Sequence, residues 1–139
     1  MNNKPNKNDL YMKIWEAEQK HVNTRWTVTT FFLSISFAIF GISLQVDGST
    51  IPIIVPQLVA VSIYWFTYVL FLRFKDYTNF LRSCLVEIEN AQNIDLDLQA
   101  KAKSFMKSSN RLSVTATQLL FYFGLAYTVA GFVIGFFFW

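Results

Sequence analysis

The chain has 139 residues, 53% hydrophobic and 18% aromatic, with a formal net charge of +3, a pI of about 9.1 and a mean hydropathy of +0.33. One Cys and one His exclude an internal disulfide, a CxxC redox pair and a Cys/His zinc site. The positive charge does not point to nucleic acid, because the basic residues flank apolar runs, where they set orientation and meet anionic lipid.

Three stretches lack Asp, Glu, Lys, Arg and His: Trp26 to Val46, Gly48 to Leu72 and Leu112 to Trp139. Each exceeds the ~20 residues that a spanning helix needs. The expected fold is an all-α membrane protein, with three transmembrane helices running up-down-up and extended into a cytoplasmic helical bundle as a single membrane domain.

In chain order, residues 1–8 (MNNKPNKN) read as disordered. Residues 9–25 form an amphipathic helix with Tyr11, Trp15, Val22 and Trp26 on one face, leading into a first span over 26–46. The polar residues before this run, and the lack of a small-x-small site after it, make it a retained span and not a cleaved signal. A second span covers 52–72, with Pro56 at a bend or in its first turn.

Residues 73–111 read as a helical hairpin. No Gly or Pro occurs between positions 57 and 123, so helix is permitted nearly throughout. The turn formers of Asn90 to Asp95 supply the one break, with Asp95 capping a helix from Leu96 and Asp97 in its first turn. Tyr77, Leu81, Cys84, Ile88 and Ala91, with Phe80 and Leu85 beside them, form the apolar stripe of the outgoing arm. Leu98, Ala102, Phe105 and Leu112 form that of the return arm. A third span occupies 113–139. Because Glu16–Phe40 and Gln57–Gln92 lack Gly and Pro, we expect three long helices, each partly in the membrane and partly beyond it.

Lys4, Lys7, Lys13, Lys20 and Arg25 precede the first span, and Arg73, Lys75, Arg82, Lys101, Lys103, Lys107 and Arg111 lie between the second and third, whereas Asp47 alone is charged between the first two. The positive-inside rule places the N-terminus and 73–111 in the cytoplasm of a bacterial inner membrane and the C-terminus outside.

Within the spans, small and hydroxyl residues mark the faces on which helices meet. Thr117, Gly124, Thr128, Gly131 and Gly135 share a stripe of the third span. The first span has two: Thr27, Thr30, Ser34 and Gly41, and Thr29, Ser36 and Ser43. These hydroxyls either bond backbone carbonyls and pack within the chain, or line a water path between assembled copies. The candidate helix-packing or pore-lining residues are therefore Thr27, Thr30, Ser34, Gly41, Gly124, Thr128, Gly131 and Gly135. Gln57 and Gln118, near span ends, read as hydrated interfacial residues. Trp26, Tyr122 and Trp139 read as interfacial anchors, and Tyr64, Trp65 and Tyr68 as packing residues that bond a partner helix.

The spans contain no ionisable acid, base or His, which argues against a proton relay, an ion-coupled transporter or a voltage sensor. No catalytic constellation and no cofactor or metal site is expected. His21 reads as an interfacial or hydrogen-bonded residue, Cys84 as part of the hairpin seam, and Glu87 and Glu89 as facing different sides of their helix. Arg25, Arg73, Lys75 and Arg111, at the boundary, are candidate contacts for anionic lipid or a ligand.

The basic and aromatic helix of residues 11–26 (YMKIWEAEQKHVNTRW), a tight pair of spans and a cytoplasmic helix resemble the small bacterial membrane effectors of anti-phage conflict systems, the SLATT type among them. The resemblance is one of architecture over residues 8 to about 92, and the third span departs from a two-span pattern. It implies a homo-oligomer that perturbs the inner membrane when a cytoplasmic signal or partner activates it. The reading is thus an oligomeric pore or membrane-perturbing effector controlled by its cytoplasmic helices. The alternative is a non-conducting anchor that docks a soluble partner.

Overall fold

The computed structural model describes residues 7–45, 52–92, 98–99, 101–102, 104 and 114–137. Three long helices are present: α1 (Lys7–Ser43), α2 (Ile54–Gln92) and α3 (Ala116–Phe137). All three are long and apolar enough to cross a membrane, so the chain is built as a multi-pass helical membrane protein. Among the described residues there is no strand.

The helix ends follow local chemistry. α1 already includes Lys7 and Asn8, which the sequence assigned to a disordered tail, and Asp9 in its first turn favours the positive end of the helix dipole. Pro56 is the third residue of α2, where its missing N–H leaves no helical bond unmade. With 37 and 39 residues, α1 and α2 extend about 56 and 58 Å, well beyond a hydrocarbon layer of ~30 Å.

α3 departs from the expected third long helix. The Thr115 amide donates to Gln118 Oε1 at 2.9 Å, and the Gln118 amide donates to Thr115 Oγ1 at 3.3 Å. This Thr-x-x-Gln capping box fixes the start of the helix, leaving it 22 residues long. Gln118 is therefore a capping residue, a role its reading as a hydrated interfacial side chain missed.

The chain forms two compact units, Met1–Arg25 with Arg73–Ser113 and Trp26–Leu72 with Val114–Trp139. In the second, apolar unit, Ala60, Tyr64 and Tyr127 form the buried core, packed by Leu33, Ile39, Phe40 and Val61. At its centre the Ser36 hydroxyl donates to the Ala60 carbonyl at 2.8 Å. The Tyr127 hydroxyl, 3.1 Å from both Ser36 Oγ and the Ser36 carbonyl oxygen, returns a bond from α3. Tyr64 donates to the Leu120 carbonyl at 2.7 Å and Trp65 Nε1 to Thr128 Oγ1 at 3.0 Å, so both bond a neighbouring helix as expected.

In the first, polar unit, α1 and α2 lie antiparallel. The Tyr11 hydroxyl donates to Glu89 Oε1 at 2.7 Å, and one heptad along, Arg82 Nε donates to Glu18 Oε1 at 2.8 Å. Glu89 also accepts the Gln99 backbone N–H at 2.9 Å, so one buried carboxylate ties α1, α2 and the return arm together. The buried stripe of α2 here is Thr78, Leu81, Leu85 and Glu89, rotated from the expected Tyr77-Leu81-Cys84-Ile88 line. Tyr77 and Phe80 are more than half exposed and Cys84 is only partly buried. The rotation follows from α1, which presents the polar Tyr11 and Glu18 and so draws polar partners into the seam. Asp95, Asp97, Phe105 and Leu112 lie outside the described residues.

In lipid, an interhelical hydrogen bond contributes about 0.6 kcal/mol on average and up to ~1.7. Ser36→Ala and Tyr127→Phe are each expected to destabilise the protein by about 1 kcal/mol in micelle unfolding measurements. Because the two groups share a bond, the double variant is expected to lose less than the sum; additive losses would show that the node is not coupled.

Candidate functional site

The two hydroxyl stripes of α1 have opposite fates. Thr29, Ser36 and Ser43 are buried, whereas Thr27, Thr30 and Ser34 are exposed, and a Cβ added at Gly41 would meet nothing within 4 Å. The Thr30 hydroxyl donates to the Trp26 carbonyl at 2.9 Å and the Ser34 hydroxyl to the Thr30 carbonyl at 2.8 Å. These hydroxyl protons are satisfied within the helix. Of the apolar window of α1, 17% is buried, against 28% for α2 and 22% for α3, so α1 is the least covered helix.

The residues predicted on α3 lie inside the protomer. A Cβ at Gly124 would come within 2.6 Å of Tyr64 Cε1, one at Gly135 within 2.6 Å of Ile54 Cδ1 and 2.9 Å of Gln57 Oε1, and one at Gly131 within 3.4 Å of Phe40 Cε2. Thr128 donates to the Gly124 carbonyl at 2.7 Å while accepting from Trp65. Gly124, Thr128, Gly131 and Gly135 are therefore helix-packing residues, and Thr27, Thr30 and Ser34 form a separate, exposed face, with Gly41 half-buried.

Gln57 differs from its reading as a hydrated residue. It is 2% exposed, and neither its amide nitrogen nor its oxygen finds a hydrogen-bond partner among the described residues. It packs instead between the start of α2 and Gly135, beside an apolar cavity of about 10 Å³ bordered by Thr128 and Gly131. A helix-forming run with one Gln near its end gives no signal of such burial.

The charged candidates separate similarly. Arg73 is exposed, Arg25 and Lys75 are partly buried, and Arg111 lies outside the described residues. Burial, and after it the positive charge of Arg82, push the Arg25 guanidinium below its ordinary value, with Glu18 acting in the opposite direction. Glu18 is 1% exposed and accepts from Gln19 Nε2 at 2.9 Å through its other oxygen. The His21 ring packs on Phe74 and Tyr77 at 5.1 and 4.6 Å between centroids, a packing role. Glu18 is the member of this cluster that residue pattern alone did not single out; its heptad relation to Tyr11 was the available signal.

No protein family, curated protein or solved structure matches the chain. Among the described residues no group of His, Cys, Asp and Glu could hold a metal ion.

The glycine contacts set an order of tolerance. Gly124→Ala is expected to cost about 1–3 kcal/mol by overpacking, because the Tyr64 ring is held by its bond to Leu120. Gly135→Ala, against flexible side-chain ends, should cost less, and Gly41→Ala should be neutral or slightly stabilising. Equal losses at Gly124 and Gly41 in unfolding measurements would contradict the packing. Gln57→Met keeps the shape and removes the unpaired amide, so it is expected to raise stability by about 1–2 kcal/mol; a loss would show that the amide has a partner.

Proposed function

We propose that the protein is an oligomer whose copies meet through the outward face of α1 and together form a pore or membrane-perturbing assembly. The observation that carries this reading is the division of the small residues. The glycines of α3 pack inside the protomer, whereas Thr30 and Ser34 are exposed and the half-buried Gly41 has open space where a Cβ would stand. Lipid tails offer no hydrophobic force between helices, and faces of small and hydroxyl residues are where close association occurs. Tyr64 and Tyr127 fill the interior of the apolar unit, so a water path would run between copies, bordered by α1. Spans without ionisable groups favour passive passage over coupled transport.

The distribution of Lys and Arg supports a bacterial inner-membrane protein with the N-terminus and the 73–111 segment in the cytoplasm. The cytoplasmic helices are then the control element. Because α1 is continuous from Lys7 to Ser43, a rotation imposed on its polar half by a soluble partner or signal turns the hydroxyl face with it. Such a device suits the anti-phage membrane effectors that the chain resembles. A second reading, a non-conducting anchor that docks a soluble partner, is favoured by Tyr77 and Phe80, whose rings lie 6.2 Å apart and which are 51% and 58% exposed in the polar unit.

Mass determination in mild detergent and dye release from liposomes decide between these. A defined oligomer that leaks is expected, with Ser34→Leu and Gly41→Leu each reducing both assembly and release while helicity is retained. A monomer, or an oligomer that stays tight even with cell extract added, would reject the pore and favour the docking reading.

A further inference from the structure

Within the apolar unit, Gln57 is a polar side chain that the protomer leaves unserved. It is 2% exposed, and neither Nε2 nor Oε1 has a hydrogen-bond partner among the described residues. The small cavity it borders, about 10 Å³, has one other polar side chain among the described residues, Thr128. That hydroxyl is already committed, donating to the Gly124 carbonyl and accepting from Trp65 Nε1. A buried amide without partners weakens a fold, and an apolar residue of similar shape would avoid the loss. The amide therefore points to a partner from outside the protomer.

The surroundings of the amide define that partner. Ile54 and Phe132 border both the small cavity and a larger one of about 560 Å³, completed by Val133, Gly135, Phe136 and Phe137. The larger volume is that of a small-molecule site, its walls are apolar, and Phe132, Phe136 and Phe137 are exposed, so it opens toward lipid tails. A Cβ at Gly135 would come within 2.9 Å of Gln57 Oε1; the missing side chain is what brings the amide up to the wall of this cavity. The small cavity has room for about one water-sized group. An amide presents a donor and an acceptor side by side, and a hydroxyl, which both gives and accepts, closes the pair with one oxygen. An ether or ester oxygen only accepts and leaves Oε1 unmet.

We propose that the two cavities form one binding site for a bilayer-soluble alcohol, with its hydroxyl on the Gln57 amide and its apolar body against Ile54, Phe132 and Phe136. The hydroxyl accepts from Nε2 and donates to Oε1. A plain acyl chain fills the apolar part of the site but gains nothing from the amide, so selection rests on a single hydroxyl. The site lies where α2 begins and α3 ends, and its occupant ties the two helix ends together. It is independent of whether copies assemble.

The test uses the full chain in nanodiscs of phosphatidylcholine, a lipid without hydroxyls. The probe is a decanol carrying a photoreactive diazirine on its tail, with labelled residues mapped by peptide mass spectrometry and with 1-decanol, methyl decyl ether and decane as competitors. Saturable labelling within 54–58 and 132–137 is expected, with 1-decanol competing about tenfold better than the ether or the alkane. Gln57→Met, which should stabilise the fold, is expected to abolish that preference. In unfolding measurements 1-decanol should raise the wild-type midpoint more than the ether does, and the two should act equally on Gln57→Met. The proposal is overturned if labelling spreads evenly along the lipid-facing helices or if the folded Gln57→Met variant keeps the preference for the alcohol. It is also overturned if alcohol and ether compete equally in the wild type, the outcome expected when water alone fills the small cavity.

Discussion

The exchange of hydrogen bonds around Ser36 is the constraint on which the apolar unit depends. A helix surrounded by hydrocarbon gains nothing from burying Leu or Phe against another helix, so specificity must come from close packing and polar contacts. Ser36 meets both needs. Its small side chain lets α1 approach α2 closely enough to reach the Ala60 carbonyl, and the Tyr127 hydroxyl of α3 donates to the Ser36 carbonyl while lying against its Oγ. One residue thereby sets the rotation of α1, sending Thr29, Ser36 and Ser43 inward and the other hydroxyl stripe outward. The glycines of α3 answer the same geometry, since the rings of Tyr64 and Trp65 lie against Gly124.

The polar unit is held by a different kind of contact. Its seam carries two buried carboxylates, Glu18 and Glu89, each satisfied by defined donors. Buried ionic and polar contacts add little net stability but penalise alternative registers heavily, because a slipped register strands a charge. The heptad spacing of Tyr11 with Glu18 on α1 and of Arg82 with Glu89 on α2 therefore aligns the two helices more sharply than a uniformly apolar seam would. The long uninterrupted helices contribute stiffness, and these two contacts contribute register.

Much of this architecture is legible in the residues. Runs without charge mark the three spanning segments, and their limits at Arg25 and Leu72 coincide with the division between the two units. The lack of Gly and Pro foretells the length of α1 and α2, and the Gly-rich stripe of α3 foretells its packing face. The rotation of α1 was not legible, because its two hydroxyl stripes are equivalent in composition and only the position of Tyr127 distinguishes them. The seam of α2 was misplaced because a stripe read from apolar residues alone passes over Thr78 and Glu89, which are buried through their polar partners. The Thr115-to-Gln118 box was legible as a Thr-x-x-Gln pattern, but a polar residue near a span end is easily assigned to interfacial water. The burial of Gln57 has no counterpart in the pattern at all.

The inward direction of the Thr30 and Ser34 hydroxyl protons gives the outer face of α1 a definite electrical character. Each proton is directed at a carbonyl one turn back, so what these side chains offer outward is oxygen lone pairs without a matching donor. A surface of this kind can accept hydrogen bonds from a neighbouring donor but has no proton of its own to give.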